Sequence, residues 1–217
     1  MKKGMAPVTT WLILINVAVF ILQGFFSDAL VTNFALWPIG SYFVQDLDTT
    51  VGFHWWQPIT SAFLHANLLH IALNMYALYL FGHDVEKTVG ARYYLALYFA
   101  AVLAASLVQL GVVTATVSSG VYPTLGASGG VFGILLAFGM LFPYRRLVLL
   151  FPPIVMPAWL FVTLYGVVEL ASGVLGTEAG VAHFAHLGGM LGGYLVLGYW
   201  KRHVRLFHGD ENNRSLY

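Results

Sequence analysis

Apolar residues in this chain fall into long, nearly unbroken stretches separated by short polar ones. A membrane-spanning helix needs about 20 mostly apolar residues. Stretches of that kind predict helices at roughly Thr9–Phe26, Asn67–Val85, Ala91–Val113, Ser128–Phe142, Ala158–Ser172 and Val181–Trp200. The first lies behind Lys2 and Lys3, where a cleavable leader is the alternative. No small-x-small cleavage site follows Phe26, so the helix is expected to be retained. The fourth and fifth are short and flank Arg145-Arg146 and a segment holding Pro152, Pro153 and Pro157. Proline lacks the N–H a helix interior requires, which predicts a turn and an irregular crossing there. Short helices are stable where protein rather than lipid covers their ends; five spans is the alternative count.

Between the first two helices lies a long segment, residues 27–66, with Trp37, Trp55, Trp56, Pro38 and Pro58 scattered along it. Tryptophan favours the membrane–water boundary, and loops of this length are more often functional than not. It is read as an interfacial structure lying partly in the leaflet. No internal repeat is evident, which removes support for a transporter built from inverted repeats.

Composition strengthens the membrane reading. The chain is 59% hydrophobic and 9% charged, against about 25% charged in soluble domains. Ten Lys/Arg and nine Asp/Glu cannot cover a protein of 217 residues in water. The fold class is therefore all-α, a polytopic membrane protein. A net charge of +1 without a dense basic run gives nothing to track phosphates, so no nucleic acid is expected. The absence of Cys excludes disulfides and thiolate chemistry.

The charges also orient the chain. With six spans and the N-terminus inside, the inner segments 1–8, 86–92, 143–157 and 201–217 hold all ten basic residues, while Asp28, Asp46, Asp48 and Glu178 lie outside. That is the positive-inside pattern. It predicts a cytoplasmic N-terminus (1–8), a six-helix membrane domain (9–200) and a cytoplasmic tail (201–217).

Polar groups at membrane depth are costly and by default mark function. His70 and Asn74, four apart, share one face of the second helix. Ser128, Gly129 and Gly133 open the fourth. Ser is a common packing residue and Gly129 with Gly133 is a small-xxx-small pattern, so helix packing is the plain alternative. Position favours more: a Ser at a helix start sits among unpaired N–H groups, which can stabilise an oxyanion. On the last helix His186, Gly189 and Gly193 line one face. Two glycine faces in contact would bring Ser128 and His186 to one depth, the nucleophile–base pairing of a serine hydrolase. Glu86 is expected to bind backbone groups of the short inner turn, with Gly90 allowing the reversal. Glu169 is read as a cap or pairing residue.

Taken in order, Trp56-Gln57, Phe63-Leu64-His65, His70-x3-Asn74, Glu86-x3-Gly90, Gly126-Ala127-Ser128-Gly129 and Ala185-His186-x2-Gly189-x3-Gly193 make residues 50–200 resemble the rhomboid family of intramembrane serine proteases. The resemblance implies a six-helix rhomboid-like bundle with Ser128 as nucleophile and His186 as general base, a dyad without an acidic third member. His70 and Asn74 would donate to the oxyanion together with the Ser128 N–H, and Phe132 would stack under the imidazole where the family often has Tyr. Gln57 stands where the family often has Arg, which bears on how the loop is braced. The implied substrates are transmembrane proteins in the lipid bilayer, cut near their outer ends, with no cofactor; nothing in the sequence sets an oligomeric state.

Two other readings compete. One is a catalytically silent rhomboid-like protein that binds transmembrane segments; the presence of both Ser128 and His186 argues for an enzyme. The other is metal or haem binding by His65, His70, His183 and His186. Their spacings do not match the HExxH pattern, and carboxylates are expected to lie far from them, so no metal is expected. The expected location is the plasma membrane of a prokaryote.

Overall fold

The computed structural model of the chain describes residues 6–148, 153–175 and 182–214. Lys2, Lys3, Pro152, Glu178 and Val181, used above for orientation, the proline turn and the start of the last helix, lie outside them.

Helix α1 (Pro7–Phe34) begins with proline at its first turn, where a missing N–H costs nothing. The apolar run expected to stop at Phe26 kinks there instead, at φ −133° and ψ 36°, and the helix resumes to Phe34. The interfacial segment then runs back along the bundle. Leu36 exchanges two 2.9 Å backbone hydrogen bonds with Thr124, and a hairpin of β1 (Tyr42–Val44) and β2 (Thr49–Val51) follows. Short α2 (Gln57–Thr60) comes next. Gln57 is the brace: its Oε1 accepts from the Trp37 and His54 N–H groups, and its Nε2 donates to Gly52 O.

The second expected helix is one rod of three parts, α3 (Leu68–Ala77), a π turn over Leu78–Gly82, and α4 (His83–Val89). Asn67 caps it, its side chain accepting the His70 N–H at 2.9 Å. Gly90, at φ +84°, reverses the chain into α5 (Ala91–Ala115). Helix α6 (Ser128–Leu141) follows, then a hairpin of β3 (Arg146–Val148) and β4 (Val155–Pro157) where an irregular crossing was expected. Pro157 sits at the end of its strand, a position that needs no ladder N–H. Helix α7 (Ala158–Leu175) runs three residues past the expected end, and α8 (His183–Arg214) continues as helix well beyond Trp200.

Helix α5 is the centre of the bundle, packed against α6 and α8, with Tyr94, Leu97, Tyr98, Ile134, Phe138 and Leu197 fully buried. By contrast α1 exposes Trp11, Ile21, Phe25 and Phe26, and α7 exposes Val167, Val168, Leu170 and Val174. Contiguous exposed apolar surface of that kind requires a non-aqueous solvent. Helices α1, α5 and α7 are each long and apolar enough to cross a bilayer alone. Helix α6 is shorter, at 14 residues, but ten of them are buried in protein and none is exposed, which is what lets a short helix stand at membrane depth. The fold is a polytopic helical membrane bundle.

Glu86 departs from expectation. Its carboxylate does not serve the inner turn; it accepts from Val8 N–H at 3.0 Å, Thr9 N–H at 2.8 Å and Thr9 Oγ1 at 2.7 Å. It thus caps α1, where unpaired N–H groups and the helix dipole both favour a negative charge.

Candidate active site

Ser128 is the first residue of α6, so its N–H has no carbonyl four residues back. The turn before it depends on Gly126, at φ +128°. A Cβ there would lie 2.7 Å from His70 Cε1 and 2.8 Å from its Nε2, so only glycine lets the imidazole come so near. Gly126 N–H in turn donates to Ser61 O at 2.9 Å, tying the turn to the interfacial segment.

Helices α6 and α8 touch along glycine. A Cβ on Gly189 would strike the Gly129 backbone, and one on Gly193 would lie 2.7 Å from Gly133 O. The same small faces admit α5, since Gly129 and Gly133 abut Ala105 and Ala101. This seam sets His186 Nε2 2.9 Å from Ser128 Oγ. Phe132, one turn into α6, stacks on the imidazole with centroids 4.1 Å apart and planes within 6°. Tyr165 of α7 stacks on the far face of Phe132 at 5.2 Å.

A cavity of about 520 Å³ opens over these groups, lined by His70, Asn74, Ser128, Phe132, Tyr165 and His186 among others. Asn74 is buried, and its Nδ2 has no hydrogen-bond partner among the described residues. Buried donors are rarely left so. His65, in the turn before α3, lies edge-on to His70 at 5.2 Å. Burial, and secondarily the His70 charge, push its imidazole down to about 4, which leaves it neutral at ordinary pH.

Glu169, read from the sequence as a cap or pairing residue, pairs at this site. Glu169 of α7 is buried, and its Oε2 lies 2.9 Å from His186 Nδ1 and 2.7 Å from His183 Nδ1. Two expectations are thereby corrected. The histidines do have a carboxylate beside them, and the Ser128–His186 couple does have an acidic neighbour. A carboxylate inside an apolar helix is itself a signal of function. What the sequence lacked was any rule connecting it to a histidine on the next helix.

The Rhomboid domain family model matches residues 52–202. Rhomboid protein 1, mitochondrial, of Saccharomyces cerevisiae is 35% identical over 146 residues, covering 67% of this chain and 42% of the yeast protein. The human presenilin-associated rhomboid-like protein, mitochondrial, is 31% identical over 165 residues, covering 71% of this chain and 42% of its own length. Rhomboid-like protein 11, chloroplastic, of Arabidopsis thaliana is 26% identical over 200 residues, 86% of this chain and 63% of the plant protein. The chain thus spans about two fifths of the length of the first two relatives. Their names correct the expected location. They are mitochondrial and chloroplastic proteins, a finding that overturns the expected prokaryotic plasma membrane.

Proposed function

This chain belongs to the rhomboid family, and on that premise we propose that it is an intramembrane serine endopeptidase that cuts transmembrane protein substrates with Ser128 and His186. The observation that carries the reading is the 2.9 Å approach of Ser128 Oγ to His186 Nε2 beside a cavity that also holds His70 and Asn74. His186 takes the Ser128 proton as Oγ attacks a substrate carbonyl carbon, then returns it to the leaving amine. Water, activated by the same imidazole, releases the acyl group. The oxyanion formed in both steps is held by the Ser128 N–H, His70 and Asn74. In a low-dielectric site each such preplaced donor is worth about 3–4 kcal/mol.

A substrate helix hides its carbonyls in its own hydrogen bonds, so it must unwind locally before attack. Substrates with helix-breaking residues near the scissile bond are the ones this site favours. Ser128 and His186 both lie at the helix ends away from Arg145 and Arg146, which supports cleavage on the side opposite the basic loops. The catalytic unit is the six-helix stretch 9–200, with 1–8 and 201–217 flanking it on the basic side.

Labelling with a fluorophosphonate probe tests the reading. Purified wild type reacts at Ser128, Ser128→Ala does not, and His186→Ala reacts far more slowly. Equal labelling of wild type and His186→Ala would remove the base from the mechanism; labelling that survives Ser128→Ala would remove the nucleophile.

A further inference from the structure

We propose that Glu169 is a positioning residue for catalysis, holding His186 in the tautomer that can accept the Ser128 proton and offsetting the positive charge that forms on it. The inference rests on the reading of Ser128 and His186 as the catalytic pair.

With Glu169 ionised and both imidazoles neutral, the protons of the four side chains have one consistent arrangement. Glu169 Oε2 lies within hydrogen-bond distance of two imidazole nitrogens, Nδ1 of His183 and Nδ1 of His186. A carboxylate only accepts, so both Nδ1 atoms carry protons. A neutral imidazole with its proton on Nδ1 presents a lone pair at Nε2. For His186 that lone pair meets Ser128 Oγ, whose hydrogen then has its acceptor. His183 gives an independent check: its Nε2 is buried with no partner among the described residues. A proton there would be a buried donor left unmade, which costs about 1–3 kcal/mol, so it belongs on Nδ1.

The burial of Glu169 points the same way. Three residues of α7 are buried, Ala158, Val162 and Glu169, so the helix turns a carboxylate inward while exposing valines and leucines. Burying an ion costs several kcal/mol unless it is paired and hydrogen-bonded. Two N–H donors on one oxygen supply that pairing, and His183 serves to hold the carboxylate in place for His186. When Oγ attacks, its proton moves to His186 Nε2. Glu169 takes no proton; its charge stabilises the imidazolium across a 2.9 Å contact that excludes water.

A metal ion explains these distances less well. Two ligands on one zinc, each about 2.1 Å from it in tetrahedral geometry, stand about 3.4 Å apart. The observed separations of 2.7 and 2.9 Å are those of hydrogen bonds.

The test uses the full chain in detergent with a model transmembrane substrate. Glu169→Gln keeps shape and loses the charge; kcat should fall about 10²-fold or more, with KM changed by less than about twofold. Glu169→Asp should recover part of the loss. A Glu169→Gln protein that turns over as wild type does, while His186→Ala is inactive, overturns the proposal and leaves the pair standing. Turnover that survives His186→Ala is instead a failure of the proposed function. A second measurement does not depend on the variant's folding: in nitrogen-15 histidine-labelled wild type, the His186 ring should carry its proton on Nδ1. A proton on Nε2 overturns the proposal.

Discussion

Helices α6 and α7 both meet α8, but in opposite ways. The α6–α8 contact is backbone on backbone, with Gly189 against Gly129 and Gly193 against Gly133. The α7 contact runs through side-chain tips: the Glu169 carboxylate on His183 and His186, and the Tyr165 ring on Phe132. The first joint has no rotamers, so it fixes the separation of the Ser128 and His186 backbones. The second is made of parts that can be withdrawn by a small movement of α7. Geometry at Ser128 is thus set by the inner seam, while the protonation geometry of His186 depends on a helix at the rim.

On that division, groups outside both joints should affect chemistry without affecting the fold. Asn74 is such a group, and its loss carries the largest effect expected of the four changes that follow. Asn74→Ala should lower turnover about 10²- to 10³-fold, the typical cost of one oxyanion donor, with no change in thermal stability. Full activity in that variant would remove Asn74 from the oxyanion site.

The seam is tested next. Gly189→Ala puts a methyl group into the Gly129 backbone, which cannot step aside as a side chain can. Overpacking of this kind costs about 1–3 kcal/mol. A displacement near 1 Å at the reacting atoms costs about 10²-fold in rate. Both a lower melting temperature and lower turnover are expected. A variant that melts earlier but cleaves normally would separate the seam from the chemistry.

These two sites differ in how far the sequence disclosed them. The glycine periodicity on α6 and α8 is local to each helix and could be read from spacing alone. The seam it implied is the contact the helices make. The six apolar stretches were equally plain, because length and hydropathy are properties of one segment. What stayed hidden were pairings between distant segments that no period connects. Glu86 finds its partners 77 and 78 residues upstream at Thr9 and Val8. Glu169 finds His186 on the next helix, 17 residues further along, at a separation that no helical period connects. The kink at Phe26 was legible only as an end, since a break in apolar pattern looks the same whether the helix stops or bends. The hairpin around Pro157 was hidden for a similar reason: proline excludes helix without specifying what replaces it.

The rim should tolerate more than the seam. Tyr165→Leu removes the ring stacked on Phe132 but leaves Phe132 on His186. Aromatic pairs contribute about 0.5–1.5 kcal/mol beyond their area, so turnover should fall about tenfold at most. A loss equal to that of Gly189→Ala would erase the distinction between the joints.

The smallest effect is the sharpest control, because it uses the same substitution on the same helix. Gly198 lies on α8, yet a Cβ added there would meet nothing within 4 Å. Glycine within a helix is about 0.5–1 kcal/mol less favourable than alanine when no contact demands it. Gly198→Ala should therefore raise the melting temperature slightly or leave it unchanged, with normal cleavage. Opposite signs at Gly189 and Gly198 would show that the contact, and not the flexibility or glycine content of α8, fixes Ser128 against His186. Equal losses at both positions would mean that α8 needs glycine for its own conformation, and the fixed-seam account would fail.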